Sequence, residues 1–298
     1  MATCVNAAIG TWFATFATAV ALLTAAAKRA WKKTIPGLSD GESSPRVRGS
    51  DFKPEAVTTT LYLVRHGEAI HNIAEREAKT MSAGILELLG LSKGSECFEE
   101  IVEGARHQVL MDEGFKDAAL SGEGCIQASA SAHTLEGLYA MGLAKPETVY
   151  VSPLQRALKT ASIMFPNHHN IHVCSAVRER LTGLPCDESS PTQMLQRRLT
   201  FDGMIWESPA TPPKTVKATA EDKAMVRLRA EVALRQILAA KEGSVAIVSH
   251  KGFLRELEKG CLAIKDTAEF DNGEVRVYHV QVHDDGAIAA SCVTCSHF

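Results

Sequence analysis

The sequence predicts an α/β protein with a doubly wound, mostly parallel sheet and helices on both faces of that sheet. Short apolar runs bounded by turn residues alternate with longer segments whose apolar residues recur at helical spacing. The chain also ends on two strand-like segments around Asp284-Asp285-Gly286, which indicates a closing hairpin. An uncharged apolar segment at the start of the chain predicts an additional N-terminal hydrophobic helix.

The predicted elements follow one another in an alternating order from Thr58 onward. Strands are expected where short apolar runs lie between turn signals, and helices where the apolar period is close to 3.6 residues. In chain order these are a strand at 60–64, a helix from 68 to about 80, a helix at 125–141, a strand at 148–151, a helix at 154–165, a strand at 170–174, a helix at 221–240, a strand at 245–248, a helix at 253–259, and a hairpin of 274–282 with 287–294.

The composition excludes several classes of protein. Hydrophobic residues make up 45% of the chain and charged residues 22%, as in ordinary globular domains, so disorder of the bulk is not expected. The net charge of -3 provides no overall positive field that would recruit nucleic acid. The eight scattered cysteines are expected to be reduced. Cys292 and Cys295 have metal-ligand spacing, but no second pair complements them, and no metal site is expected.

The chain is predicted to contain a hydrophobic leader (1–33), a linker rich in Pro, Gly and Ser (34–57) and one domain (58–298). Residues 1–27 carry no charge, and Lys28, Arg29, Lys32 and Lys33 follow them. About 20 such residues can span a bilayer. We expect a membrane tether through residues 1–27 with the domain in the cytosol, because basic residues favour the cytoplasmic side. A secretory signal peptide and an organellar transit peptide are the alternatives.

Basic and polar residues follow three of the predicted strands. Arg65-His66-Gly67 follows the first, Ser152 to Arg156 the second, and Ser249-His250 a later one. In open α/β sheets ligands bind at the carboxyl ends of the strands, so we expect two arginines and two histidines at one edge. Cations beside helix N-termini predict a phosphate pocket. Gly67 is expected to let the backbone turn sharply behind His66.

These segments resemble the signature motifs of the histidine phosphatase superfamily, branch 1, the phosphoglycerate mutase-like family. Arg65-His66-Gly67-Glu68 resembles the first motif. Four further segments are similar to the family's other motifs and occur in the family's order: 120–128, 152–160, 177–179 and 248–253. The similarity spans about two thirds of the chain and implies the phosphoglycerate mutase-like fold.

The resemblance implies a phosphomonoester hydrolase that acts on a small phosphorylated substrate without a metal or another cofactor. His66 would be the nucleophile and form a phosphohistidine intermediate. Arg65, Arg156 and His250 would bind the transferring phosphoryl group, whose charge lies on its equatorial oxygens.

Two further roles follow from the same resemblance. Asn72 matches a family position near the phosphate. Glu179 occupies the place of the general acid that protonates the leaving alcohol and then activates water. As local alternatives, Asn72 could only cap its helix, and Glu179 could belong to the solvated cluster Arg178-Glu179-Arg180.

Two other functions stay open at this stage. A phosphoglycerate mutase would need additional basic residues for a second phosphate and a carboxylate, and the mutase segment Arg-Arg-His-Tyr-Gly is not found. His71 also stands where the mutase signature usually has Trp. A non-catalytic phosphate-binding scaffold usually loses one of the reactive residues, which are all present here. Hydrolysis is therefore the favoured prediction.

Two departures from the family pattern, and four histidines outside its motifs, have no assigned role. Lys251 stands where the family often has Gly or Ser, and it could add charge at the pocket rim or point to solvent. The stretch 73–115 carries few motifs and could form a wall that selects the substrate. It holds a helix-like segment at 85–91 and acidic residues at Glu96, Glu99, Glu100 and Glu103. Four histidines are expected to be ordinary surface or core residues: His71, His168, His169 and His172.

Overall fold

A computed structural model describes residues 58–199, 204–206, 220–264 and 268–295. These residues lie within one structural unit, Glu55–Phe298. The predicted leader with its hydrophobic helix (1–33) and the predicted linker (34–57) lie outside the described residues. Within the described ranges, no helix is long and apolar enough to cross a membrane.

Seven strands form one sheet in the order β4-β3-β2-β5-β1-β6-β7. Neighbours among the first five of these strands pair in parallel, and β6 pairs antiparallel with both β1 and β7. In chain order they are β1 (Thr58–Arg65), β2 (Thr148–Val151), β3 (Ile171–Val173), β4 (Met204–Trp206), β5 (Ser244–Ser249), β6 (Val275–Val282) and β7 (Ile288–Cys295). The predicted mixed α/β sheet and its closing hairpin are confirmed, and β4 is an additional strand.

The described helices are α1 (Ile70–Leu88), α2 (Glu96–Leu110), α3 (Gly122–Ala140), α4 (Gln155–Met164), α5 (Thr192–Arg198), α6 (Lys223–Ala239) and α7 (Lys251–Glu256). They cover both faces of the sheet because side chains alternate along each strand. Leu61 and Leu63 pack into a core with α6 and α7. Tyr62 and Val64 pack into a second core with α3 and α4. Both faces are therefore buried, which accounts for the continuous apolar runs of the central strands.

The stretch 73–115 folds mainly as a pair of packed helices, α1 and α2. Helix α1 begins later and ends later than predicted, and it takes in the first part of the helix-like segment at 85–91. Ser95 caps α2, and the acidic residues Glu96 and Glu99 lie in its first turn. Negative charges at a helix N-terminus interact favourably with the helix dipole, so these two glutamates of the acidic patch stabilise α2.

A close approach of two glycines fixes the loop after β1. A Cβ atom on Gly67 would lie 2.3 Å from the carbonyl oxygen of Gly124, and a Cβ on Gly124 would lie 2.0 Å from that of Glu68. The Gln127 side chain accepts a hydrogen bond from the Glu68 N–H at 2.8 Å. Glycine is therefore needed at position 67 because the backbone of Gly124 lies too close for a side chain. The sequence analysis expected a sharp turn as the reason, but Gly67 does not have a positive φ.

Candidate active site

The sheet brings the predicted phosphate-binding residues to one edge. Arg65 pairs in register with Ser249, and Val151 pairs with Val248, so β1, β2 and β5 end side by side. A cleft of about 170 Å³ opens at these strand ends. Five of the six predicted site residues line it: Arg65, His66, Asn72, Arg156 and Glu179. His250, the sixth, is fully buried and contacts Arg156.

His66 is held as a neutral imidazole whose Nε2 carries no proton. Its Nδ1 lies 2.6 Å from the carbonyl oxygen of Gly67, which can only accept, so Nδ1 carries the proton. Nε2 then has a lone pair and accepts from Arg156 Nε at 3.3 Å. Burial, followed by the positive charges of Arg156 and Arg65, lowers the pKa of His66 well below its usual range. The ring can therefore act as a nucleophile at neutral pH.

Arg156 lies between two histidine rings. Its Nε is shared between His66 Nε2 and His250 Nδ1, each at 3.3 Å, and the ring centroids are 4.9 Å apart. His250 Nε2 consequently carries its proton and donates to Ser152 Oγ at 2.7 Å. Burial, then the charge of Arg156, lowers the pKa of His250 well below its usual value. Both imidazoles facing this guanidinium are neutral.

One hydrogen-bond donor of Arg65 has no acceptor among the described residues. Its Nη1 donates to the carbonyl oxygen of Phe270 at 2.6 Å, while its buried Nε has no partner in the described structure. Burial lowers the pKa of Arg65, and the carboxylates of Glu179 and Asp271 oppose that shift. A phosphoryl oxygen would supply both the missing acceptor and a negative charge.

Glu179 is held by backbone amides at the opposite wall. Its Oε1 accepts from the N–H groups of Arg180 at 2.8 Å and Phe253 at 3.2 Å, and its Oε2 accepts from Gly252 at 3.4 Å. A Cβ on Gly252 would lie 2.5 Å from Oε1, so the carboxylate fits there only against a glycine. Burial of the carboxyl group, then the charge of Asp187, raises the pKa of Glu179. A raised pKa suits a general acid.

Asp187 is a cleft residue that the sequence analysis did not identify. Its Oδ1 lies 3.8 Å from Arg156 Nη2, and its Oδ2 accepts from the Thr182 backbone at 3.3 Å and from the Thr182 hydroxyl. Arg156 Nη1 donates to the carbonyl oxygen of the neighbouring Cys186 at 2.6 Å. Asp187 therefore orients Arg156, and the Pro-Cys-Asp run after Gly183 was the only local signal for it.

His71 also lines the cleft, which corrects the expectation that it is an ordinary surface or core residue. Asn72 Oδ1 accepts from the Ala69 N–H at 3.0 Å and so caps α1. The Asn72 amide nitrogen lies 3.1 Å from His71 Nε2. Asn72 thus combines the local capping expected as an alternative with a place on the cleft wall.

The helix pair and Lys251 form the rim. Arg106 of α2 donates to Glu75 of α1 at 2.6 Å, and both residues line the cleft. Burial alone would raise the pKa of Glu75, but its hydrogen bond and ion pair with Arg106 lower the pKa to about 2. Lys251 lines the cleft and pairs with Glu269 at 3.0 Å. The helix pair thus supplies a wall, as expected for the stretch 73–115.

The lining as a whole favours an anion. Five cationic side chains and three acidic ones face the cleft, an excess of positive charge that favours an anion such as a phosphoryl group. Among the residues that the structure describes, no group of three or more His, Cys, Asp or Glu side chains is placed to hold a metal.

The chain is similar in sequence to one family of known proteins. Residues 105–292, more than half of the chain, match the family model of the histidine phosphatase superfamily (branch 1). The matched segment includes Arg156, Glu179 and His250 and begins after Arg65 and His66, which β1 brings beside them. No curated protein matches the chain.

Among solved structures, similar folds include a phosphoserine phosphatase from Entamoeba histolytica with 3-phosphoglyceric acid, which is 18% identical with a TM-score of 0.46. The match covers 80% of this chain and 98% of that one. An ecdysone phosphate phosphatase from Bombix mori with tungstate is 15% identical with a TM-score of 0.49, covering 80% and 94% of the two chains. A mycobacterial glucosyl-3-phosphoglycerate phosphatase is 16% identical with a TM-score of 0.47, covering 80% and 98%.

Proposed function

Since the chain belongs to the histidine phosphatase superfamily, branch 1, we propose that it hydrolyses phosphate monoesters through a phosphohistidine on His66. The observation that carries this proposal is the state of His66. Its Nδ1 proton is bound by a carbonyl oxygen, and its Nε2 lone pair faces the guanidinium that would hold the phosphoryl group. A nucleophile and a phosphate-binding cation thus meet at one point.

In the first step, the Nε2 lone pair of His66 forms a bond to phosphorus while the bond from phosphorus to the ester oxygen breaks. The electron pair of that bond goes to the leaving oxygen, which takes a proton from Glu179. Arg65 and Arg156 hold the phosphoryl oxygens where negative charge is present throughout the transfer. His250, held by Ser152, completes this pocket.

In the second step, water attacks phosphorus and transfers a proton to Glu179, and the electron pair of the N–P bond returns to His66 Nε2. One carboxyl group can serve both steps because it leaves the first step deprotonated. Its raised pKa supports the acid role, and its three backbone hydrogen bonds support the later carboxylate role. A small phosphorylated substrate suits a cleft of about 170 Å³.

The test is phosphate release from 4-nitrophenyl phosphate together with trapping of the phosphorylated enzyme. We expect turnover in the presence of a chelator and an acid-labile, base-stable phosphoenzyme. His66→Ala should abolish both without unfolding the protein, because no neighbouring group replaces the nucleophile. His133→Ala, at an exposed histidine of α3, is the matched control and should change neither. Undiminished labelling of the His66→Ala protein would remove His66 from this role.

A further inference from the structure

Two nitrogens of the cleft residues are buried without a hydrogen-bond partner. The described part of the chain holds four such polar side-chain atoms, and Arg65 Nε and His71 Nδ1 belong to residues that line the cleft. Leaving a buried donor unpaired costs about 1–3 kcal/mol, so an unpaired donor beside a cleft is a candidate to bind an acceptor atom of a ligand. The proposed function assigns a phosphoryl oxygen to Arg65 and leaves His71 without a role.

The neighbouring Asn72 determines which nitrogen of His71 carries the proton. Asn72 Oδ1 is the atom that accepts from the Ala69 N–H, so its amide nitrogen is the donor toward His71. His71 Nε2 must therefore accept, and the proton of the neutral ring lies on Nδ1. The unpaired nitrogen is thus an N–H donor, held in place by a side chain that is itself fixed by the start of α1.

His71 lies in the wall of the cleft beside Arg65, His66 and Arg156. Burial, and then the charge of Arg156, lowers the pKa of His71 to about 3, with Arg65 acting in the same direction. The His71 ring is therefore neutral, and it offers the cleft a hydrogen-bond donor and no charge.

We propose that His71 donates a hydrogen bond from Nδ1 to a nonbridging oxygen of the transferring phosphoryl group. This inference rests on the proposed function, because it requires a phosphoryl group in the cleft. It makes His71 a substrate-contacting residue that adds a neutral donor where two arginines already supply the charge. A contact with the alcohol part of the substrate is the competing outcome of the test.

The variants separate loss of the donor from loss of the ring. His71→Phe keeps the ring and removes both nitrogens, whereas His71→Asn places an amide N–H close to the position of Nδ1. His133→Phe is the matched control on the surface of α3. We would measure binding of orthovanadate and inorganic phosphate by calorimetry, and kcat/KM for 4-nitrophenyl phosphate and an alkyl phosphate.

We expect His71→Phe to weaken vanadate binding by about tenfold or more, since a donor to a charged group is lost. His71→Asn should stay within about threefold of the wild type. The loss in kcat/KM should be the same for both substrates, because the phosphoryl group is common to them. Unchanged vanadate binding in His71→Phe would overturn the proposal. A loss in kcat/KM for only one of the two phosphate esters would overturn it as well.

A measurement on the wild-type protein removes any dependence on the folding of the Phe variant. The Nδ1–H proton of His71 should be visible by NMR and shift downfield on addition of vanadate, and an unmoved resonance would overturn the contact. If the wild type binds vanadate but hydrolyses no monoester, the proposed function fails while vanadate binding still decides the role of His71.

Discussion

Two buried arginines, Arg156 and Arg276, show what distinguishes a binding site from a structural ion cluster in this molecule. Each side chain is 2% exposed. Arg276 donates to Glu274 at 2.6 Å, to both oxygens of Glu258 at 3.1 and 2.9 Å, and to the Ala268 carbonyl oxygen at 3.0 Å. Its guanidinium also lies 3.7 Å from the centroid of the Phe270 ring. Its charge and its hydrogen bonds are therefore met within the protein.

Arg156 has a different set of neighbours. It makes one short hydrogen bond to a carbonyl oxygen, its nearest carboxylate is Asp187 at 3.8 Å, and its Nε is shared between two neutral histidines. Burial alone therefore does not identify a functional arginine. What distinguishes Arg156 is that its nearest carboxylate lies beyond hydrogen-bond distance, at 3.8 Å, whereas Arg276 donates charged hydrogen bonds to two glutamates. Four predictions test this distinction.

Replacing Arg276 should have the largest effect, and that effect should be on folding. Arg276→Met removes the buried cation that pairs with Glu258 and Glu274, so we expect a loss of about 3–5 kcal/mol in the free energy of unfolding. Urea denaturation measures it. Adding Glu258→Gln and Glu274→Gln should recover part of the loss. A stable single variant would show that this cluster contributes little to stability.

Replacing Arg156 should instead act on catalysis. We expect Arg156→Ala to lower kcat/KM by about 10²–10³-fold and to weaken vanadate binding, because a charged donor to the phosphoryl group is lost in a sheltered site. Steady-state kinetics and calorimetry provide the two values. Arg197→Ala, at an exposed arginine of α5, is the control. A loss below about tenfold with unchanged vanadate binding would place Arg156 in the structural class.

The effect of Glu179→Gln should depend on the leaving group. We expect a loss of about a hundredfold for alkyl phosphates, whose alkoxides need a proton, and a much smaller first-step defect for 4-nitrophenyl phosphate. A burst of nitrophenol followed by slow hydrolysis should appear in stopped-flow traces, since the same residue would activate water. An equal small loss for both substrates without a burst would make Asp187 the next candidate for the acid.

The pocket around Arg156 should also be sensitive to acid. The pKa of His71 is about 3 in the folded protein and about 6.5 when unfolded, so between these values the unfolded state binds an additional proton. The contribution of His71 to the free energy of unfolding is fully present above pH 6.5 and declines as the pH falls toward 3. Going from pH 7 to 5 should cost about 2 kcal/mol through His71 alone.

Urea denaturation at pH 7 and pH 5 measures this difference. His71→Phe should lose about 2 kcal/mol less than the wild type over that interval, and His133→Phe should behave like the wild type. An identical pH dependence in His71→Phe would mean that the pKa of His71 is the same in the folded and the unfolded protein.

The sequence by itself was sufficient to bring four residues of the candidate site together and to predict most of the sheet. Arg65 ends β1, His66 and His250 directly follow strands, and Arg156 lies in the first turn of a helix after a strand. Parallel strands end at one edge of a sheet, so these residues meet there. A short local pattern therefore fixes both the identity and the place of each of these side chains. The hydrophobic leader and its membrane tether stay a prediction, because residues 1–57 lie outside the described structure.

Tertiary structure alone decided the rest of the site. Asp187 meets Arg156 across 31 positions of the chain, and Gly67 needs Gly124 for its close packing. The sequence around His71 is that of an ordinary histidine. Its place in the cleft wall, its contact with Asn72 and its unpaired Nδ1 depend on the folded structure. The local sequence determines which residues stand at the end of a strand. Contacts between distant segments depend instead on how the helices and loops pack. Whether a buried polar atom has a partner therefore becomes visible only in the folded chain.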